Sequence, residues 1–233
     1  MAARPEPASG GAMRARRSPP RTLTLLGATG RTGRHLLRLA LHGGYRVRAL
    51  VRDPRALASP HPRLELVPGD ACELGAMEQA VAGASVVLST LGHTPSSADD
   101  VLTQAARNLV EVARRRPIER VVALISGSIL VPGDRPPLGY RCLTHAFRPL
   151  FRRRFTDSRR QAEVILGSGL DYVLVRATRL SDEPGTGEVE AGPLDGRVRP
   201  TIPRVDVAAF MLEQVWSDAF LHQTPLVRRP RRS

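Results

Sequence analysis

Thr22-Leu-Thr-Leu-Leu-Gly27-Ala-Thr-Gly30-Arg-Thr-Gly33 is the stretch on which the reading of the whole chain turns. A short apolar run ends in three glycines, each separated from the next by two residues, and an amphipathic helical pattern follows. Strand, glycine turn and helix start, in that order, leave unpaired backbone N–H groups and the positive end of a helix dipole facing one point, where a pyrophosphate can be held. The glycines serve a tight turn, a close approach of backbone to phosphate, and close packing of helix on strand.

The next segment outward strengthens this. Residues 46–51 alternate as a half-buried strand, and Arg52 stands at its carboxyl end, about 20 residues past the glycines. An acidic side chain there would take a ribose 2′-hydroxyl, as in NAD, whereas arginine suits the 2′-phosphate of NADP. Asp53 opens the Asp53-Pro54 turn and is expected to cap it and point away. NADP(H) is therefore the expected coenzyme, with NAD(H) the lesser alternative.

The rest of the chain alternates strand and helix without repeats. Helices are expected over 31–42, 73–81, 99–115, 157–166 and 205–216, and strands over 22–26, 63–67, 85–89, 120–125 and 171–176. Residues 131–155 break the rhythm with Pro, Gly and Arg and read as an excursion near the site, and 177–204 are turn-rich with two short strand candidates. Such βα units predict an α/β fold: one Rossmann-like, doubly wound parallel sheet with helices on both faces, spanning 21–227. Ligands bind such sheets at the carboxyl ends of the strands. Asp70, Leu91-Gly92-His93 and Ser126 all fall at strand ends.

Composition bounds the function. With 42% hydrophobic residues in 233, the chain can bury one full core. No apolar run approaches the roughly 20 residues of a membrane span. Residues 1–20 read as a disordered basic leader without the apolar core of a signal peptide, and Met13 is an alternative start. The formal charge is +13, but residues 1–21 carry +4 of it and 228–233, read as a basic tail, another +4, leaving +5 for the domain. With aromatics at 4%, no base-stacking platform for specific nucleic-acid binding is expected. The Arg152–Arg160 cluster reads as a solvated helix face. Cys72, Cys142 and the histidines lack metal-ligand spacing, so no metal is expected and a reducing, cytoplasmic setting is. The expected partner is a small-molecule substrate, with no membrane, and the chain is expected to be a monomer or weak homodimer. Lysine is absent altogether, which excludes a lysine ammonium or Schiff base from any mechanism. No Gly-x-Ser-x-Gly elbow supports a serine hydrolase.

Taken together, Gly27-Ala-Thr-Gly-Arg-Thr-Gly33, Ala49-Leu-Val-Arg-Asp53, Gly69-Asp70, Leu91-Gly92, Gln104-Ala-Ala-Arg-Asn108, Ser168-Gly-Leu170, Gly185-Thr-Gly187 and Arg204-Val-Asp-Val-Ala208 resemble atypical short-chain dehydrogenase/reductases of the NAD(P)H-binding, NmrA-like kind. The resemblance covers about residues 22 to 220 and is greatest to the biliverdin reductase B, or NADPH flavin reductase, subgroup. It implies that Gly27 and the run Thr29, Gly30, Arg31, Thr32 and Gly33 meet the pyrophosphate and that Arg52 meets the 2′-phosphate. It implies Asp70 beside the adenine, Leu91 and Gly92 along the ribose and nicotinamide, Ser126 near the nicotinamide, and Ala177, Thr178 and Arg179 bordering the coenzyme.

The implied activity is NADPH-dependent reduction of flavin-like or other conjugated acceptors; the alternative is a non-catalytic NADP(H)-sensing, NmrA-like regulator. The wider family's Tyr-x-x-x-Lys pair cannot exist here, and none of Tyr45, Tyr140 and Tyr172 lies in such a frame. Hydride delivered to a conjugated system can leave protonation to solvent or a weak acid. Ser126 is the catalytic candidate, and His93, beside the implied nicotinamide path, is a second candidate as proton relay. Ser158 and Arg179 stand where the subgroup carries two substrate-side histidines, and an inward Arg179 could pair with a substrate anion.

Overall fold

The computed structural model describes residues 22–57, 60–141, 152–196 and 201–230. The chain starts with β1 (Thr22–Leu26), turns through the glycines into α1 (Arg31–His42), and continues with β2 (Arg46–Val51), β3 (Leu64–Pro68) and α2 (Leu74–Val81). Next come β4 (Val86–Ser89), α3 (Val101–Ala113), β5 (Arg120–Ser126), α4 (Arg152–Leu166) and β6 (Tyr172–Ala177). Short strands β7 (Arg179–Ser181), β8 (Glu190–Gly192) and β9 (Thr201–Pro203) precede α5 (Arg204–Glu213) and β10 (Leu226–Arg228).

Eight strands form one sheet in the order β3-β2-β1-β4-β5-β6-β10-β8, with β8 antiparallel at one edge and the other pairings parallel. β7 and β9 pair separately. The β-branched and leucine runs of the central strands suit burial on both faces. Leu23, Leu25, Val47 and Val175 face the layer that holds α1 and α5, with Leu36 and Met211 among its helix residues. Leu26, Val87, Val121 and Leu174 face the layer of α2, α3 and α4, meeting Met77, Leu109 and Ile165. Each fully buried Leu or Val of these layers contributes roughly 1.5–3 kcal/mol relative to exposure. The predicted doubly wound α/β sheet with helices on both faces is the fold observed.

The differences are local. α4 begins at Arg152, five residues before the expected 157, so it absorbs the end of the predicted excursion; residues 142–151 of that excursion lie outside the described residues. The turn-rich segment yields three short strands rather than two. β10 has no counterpart in the sequence reading, which placed 228–233 in a tail. Arg228 is instead 5% exposed within β10, its guanidinium bonded to Glu190 at 2.5 Å and Asp195 at 2.8 Å, while Arg229 pairs with Glu183. These carboxylates come from the turn-rich loop, and they make a strand of what composition alone marks as basic tail. The leader 1–20 lies outside the described residues.

Glycines divide into those the packing requires and those it does not. A β-carbon on Gly33 would lie 2.0 Å from the Gly27 carbonyl oxygen, a backbone atom that cannot give way. Gly75, exposed in α2, meets nothing within 4 Å. Gly33→Ala is expected to destabilise by about 3 kcal/mol or more through forced overpacking, and Gly75→Ala to stabilise by about 0.5 kcal/mol through helix propensity. Opposite shifts of the urea midpoint would bear this out; equal shifts would refute it.

Candidate active site

β1 lies between β2 and β4, so the crossover direction of the sheet reverses at the β1/β4 boundary and the loops there part to leave a crevice. Gly27, at φ +80°, turns the chain out of β1, and its missing side chain leaves room for the backbone of Thr90, 2.9 Å from where a β-carbon would stand. The Thr90 hydroxyl donates toward the carbonyls of Leu26 and Gly27, both at 3.2 Å, tying the end of β4 to the glycine turn. α1 starts at Arg31 behind an extended Gly30, with no side-chain cap and no acidic residue in its first turn. Its first amides are therefore left for a ligand, and anions are the ligands they favour.

The crevice has two connected compartments that share Gly30, Thr90, Leu91, Gly92 and Thr94. The narrow one, about 120 Å³, runs from Gly27 and Thr29 to Arg52, Gly69 and Asp70. Arg52 is exposed there and makes no hydrogen bond or ion pair among the described residues. Asp53 does the opposite: it accepts from the Arg55 backbone N–H and Nε, both at 3.0 Å, and these bonds hold its carboxyl below the usual range. The predicted cap is thus in place. Asp70 accepts the Cys72 N–H at 2.9 Å while still lining the compartment. Burial, with the Asp70 charge beside it, pushes the Cys72 thiol up to about 11, so it is no nucleophile near neutral pH.

The wide compartment measures about 1210 Å³ and opens from Arg31, Thr32 and Gly92 toward α4. Its floor is apolar, with Leu124, Ile129 and Leu180 among the lining residues, and Arg154 and Arg159 stand exposed on its α4 side. Ser126, Ser128 and Ser158 line it together. The Ser126 and Ser128 hydroxyls lie 2.7 Å apart, and the Ser126 N–H donates to Ser158 Oγ at 3.1 Å. His93 lines the same space, with Nε2 2.9 Å from Asp157 Oδ2. That contact is close but not aligned as a hydrogen bond, since Nε2 has no hydrogen-bond partner. Asp157 also accepts the N–H groups of Leu102 and Thr103, each at 2.9 Å, and so caps α3 from another helix.

A buried pair shapes the outer wall. Arg176, fully enclosed in β6, bonds Asp134 through Nη1 at 2.5 Å and Nη2 at 3.0 Å and the Ile129 carbonyl at 2.9 Å. Burial would raise the Asp134 carboxyl, but Arg176 and the N–H groups of Val131 and Leu194 outweigh it and hold the carboxyl below its ordinary value. The loop carrying Ile129, Leu130 and Val131 into the compartment is fixed by this pair.

A Rossmann-type crevice with an anion-ready helix start is the mark of a dinucleotide-binding α/β protein. A family model described as NAD(P)H-binding matches residues 27–218, and the chain belongs to this NAD(P)H-binding family. An uncharacterized chloroplastic protein of Arabidopsis thaliana is 31% identical over 200 residues, covering 80% of this chain and 69% of its own length. ChuY, an anaerobilin reductase from Escherichia coli O157:H7, superposes with a TM-score of 0.74 at 22% identity, covering 91% of this chain and 98% of its own. A short-chain dehydrogenase/reductase from Veillonella parvula in complex with NADP gives a TM-score of 0.74 at 22% identity, over 91% and 95% of the two chains.

Most residues singled out from sequence meet at this crevice. Gly27, Thr29, Gly30, Arg52, Asp70, Leu91 and Gly92 line the narrow compartment, and Arg31, Thr32 and Ser126 the wide one. Gly33 lies beneath, against Gly27. Ala177, Thr178 and Arg179 line neither compartment. Ala177 pairs with Ser126 across β5 and β6, and its carbonyl oxygen sits 2.0 Å from where a Gly127 β-carbon would be. Arg179 is exposed on β7, so the inward pairing considered for it is not what the fold provides; Arg204, bonded to Asp182 at 2.7 Å, lines the compartment instead. Thr90, Asp157 and Arg204 were not read from the sequence. Thr90 follows a strand end and was within reach of that rule, whereas Asp157 and Arg204 act through contacts between distant elements.

Because the Asp134 carboxyl is depressed in the folded protein, its contribution is present above the unfolded carboxylate range and lost as pH falls below about 4. Asp134→Asn leaves the Arg176 charge buried without its counter-charge, a loss of about 3 kcal/mol. At roughly 2–4 °C per kcal/mol for a chain this long, calorimetry at pH 7 is expected to register a Tm lower by about 10 °C, with a shallower decline in acid than the parent. An unchanged acid limb would contradict the pairing.

Proposed function

We propose that the protein is an NADPH-dependent reductase of flavin-like or other conjugated acceptors. The observation that carries this is the wide, apolar-floored compartment opening directly from the glycine cradle through Gly30, Thr90, Leu91 and Gly92. A protein that only sensed the coenzyme would need the narrow compartment and the cradle but no such second space. The description of the E. coli neighbour as an anaerobilin reductase supports the same class of reaction.

The residues present fit the coenzyme. Two glycines leave room where β-carbons would strike backbone, and the uncapped start of α1 offers amides to a pyrophosphate. For the choice between coenzymes, Arg52 is the available group and Asp53 is engaged by Arg55, which favours a 2′-phosphate over a bare ribose hydroxyl. Bound there, a reduced nicotinamide supplies a hydride. The chain's part is to bind and orient: Ser126 at the end of β5 presents a hydroxyl to the nicotinamide or acceptor, and Arg154 and Arg159 offer permanent positive charge to an acidic one. Positioning and electrostatics would supply most of the acceleration. A monomer or weak homodimer completes this reading, and a free Cys72 suits a reducing compartment such as the cytoplasm. No helix among the described residues is long and apolar enough to cross a membrane.

Thermal shift with NADP+ and NAD+ tests the coenzyme, since tight selective binding raises Tm by mass action. NADP+ is expected to stabilise more, and Arg52→Asp to cut that preference by 10- to 100-fold in Kd, as the loss of a charge-assisted contact of about 1.5–3 kcal/mol implies. Absorbance at the nicotinamide band with FMN, FAD and biliverdin tests the chemistry. Loss of NADPH no faster than in buffer with all three acceptors would end the reductase reading.

A further inference from the structure

We propose that His93, oriented by Asp157, is the proton donor that completes reduction at this site; the inference rests on the reductase reading above. Of the described residues lining the wide compartment, His93 and Glu163 are the acid–base side chains other than arginine. Glu163 sits at the exposed side, 3.6 Å from Arg159. The arginines hold their protons permanently, the chain has no lysine, and the serines are very weak acids. Tyr140 donates to the Gly127 carbonyl at 2.8 Å and does not line the compartment.

His93 is placed as a donor needs to be. Its side chain is only 10% exposed, yet it borders the compartment one residue past Gly92. Nε2 is enclosed and faces Asp157 Oδ2 at 2.9 Å, which leaves Nδ1 as the ring nitrogen for a ligand. Asp157, with a side chain 2% exposed, is itself fixed by the Leu102 and Thr103 amides and by the Thr103 hydroxyl at 2.5 Å. Capping α3 requires the carboxylate but not the histidine. A fixed carboxylate 2.9 Å from Nε2 favours a proton on that nitrogen by charge, and leaves Nδ1 to serve the edge of the ligand space.

In the step inferred, the acceptor gains two electrons and one hydrogen, as hydride, at one atom of its conjugated system, leaving the nicotinamide oxidised. The charge that collects on an acceptor heteroatom is neutralised as the Nδ1–H bond of imidazolium His93 breaks and a heteroatom–H bond forms. His93 returns neutral, with Nε2–H kept toward Asp157, and regains its proton from solvent.

The test uses the full chain with NADPH and either FMN or biliverdin. His93→Ala should keep the NADP+-induced rise in Tm while kcat falls at least 100-fold, within the range general acids supply. Free imidazole at millimolar concentration should restore turnover in that variant and leave the parent unchanged. A variant that binds NADP+ normally and turns over within threefold of the parent overturns the assignment, and so does a loss that imidazole fails to restore. If the parent itself turns over neither acceptor, the reductase reading fails first, an outcome separate from failure of His93 alone. Histidine 15N NMR checks the dyad without turnover: the neutral ring should carry its proton on Nε2, and Asp157→Asn should remove that bias. A ring with no tautomer preference in the parent overturns the pairing.

Discussion

A carbonyl oxygen at Gly27 and an α-carbon at Gly33 stand so close that a β-carbon on the latter would lie 2.0 Å from the oxygen. β1 and α1 therefore meet backbone to backbone, and the helix can begin within four residues of the strand's turn. Its first amides then point into the crevice instead of being spent on a cap. Thr90 extends the constraint to β4 through its hydroxyl contacts with Leu26 and Gly27. Three elements are locked at the place where the sheet reverses its winding, and both compartments share that lock as a wall.

The far side of the site depends on charge instead of close approach. Arg176 has no exposure, and its cost of desolvation is met by Asp134 and by the Ile129 and Thr224 carbonyls. Asp134 and Ile129 belong to the segment after β5 and Thr224 to the lead into β10, so Arg176 joins those two segments. Asp157 does similar work between α3 and α4. Removing one member of such a set leaves an unpaired buried group, which is why each is worth more to geometry than to a sum of bond energies.

Where the chain's pattern is periodic, it was legible. The glycine turn, Arg52 at a strand end, and the order of βα units follow from local spacing, and β1, α1 and β2 fall on their expected residues. What escaped was decided by contacts between distant segments. β10 is three residues ending in arginine, a composition that reads as solvated until Glu190 and Asp195 are brought to it. Asp157 looks like a helix-start residue in sequence, and its work is to cap a different helix. Arg179 and Arg204 are indistinguishable as letters; β7 turns one outward, and the start of α5 turns the other toward the compartment.

The absence of lysine gives the site its chemical character. Positive charge around the wide compartment is carried by Arg31, Arg154, Arg159 and Arg204, none of which can release a proton. Charge recognition and proton supply, which a lysine can combine, are thereby separated: arginines can hold an acidic acceptor at any physiological pH, and acid–base work falls to another group. The apolar lining, Leu124, Ile129 and Leu180 among it, offers surface to the flat conjugated acceptor proposed above. A site so divided has little means of activating a simple alcohol or ketone through a tyrosine–lysine pair. In the reductase proposed above, the acceptor's own conjugation spreads the incoming charge, so that one weak acid, placed at the edge, suffices.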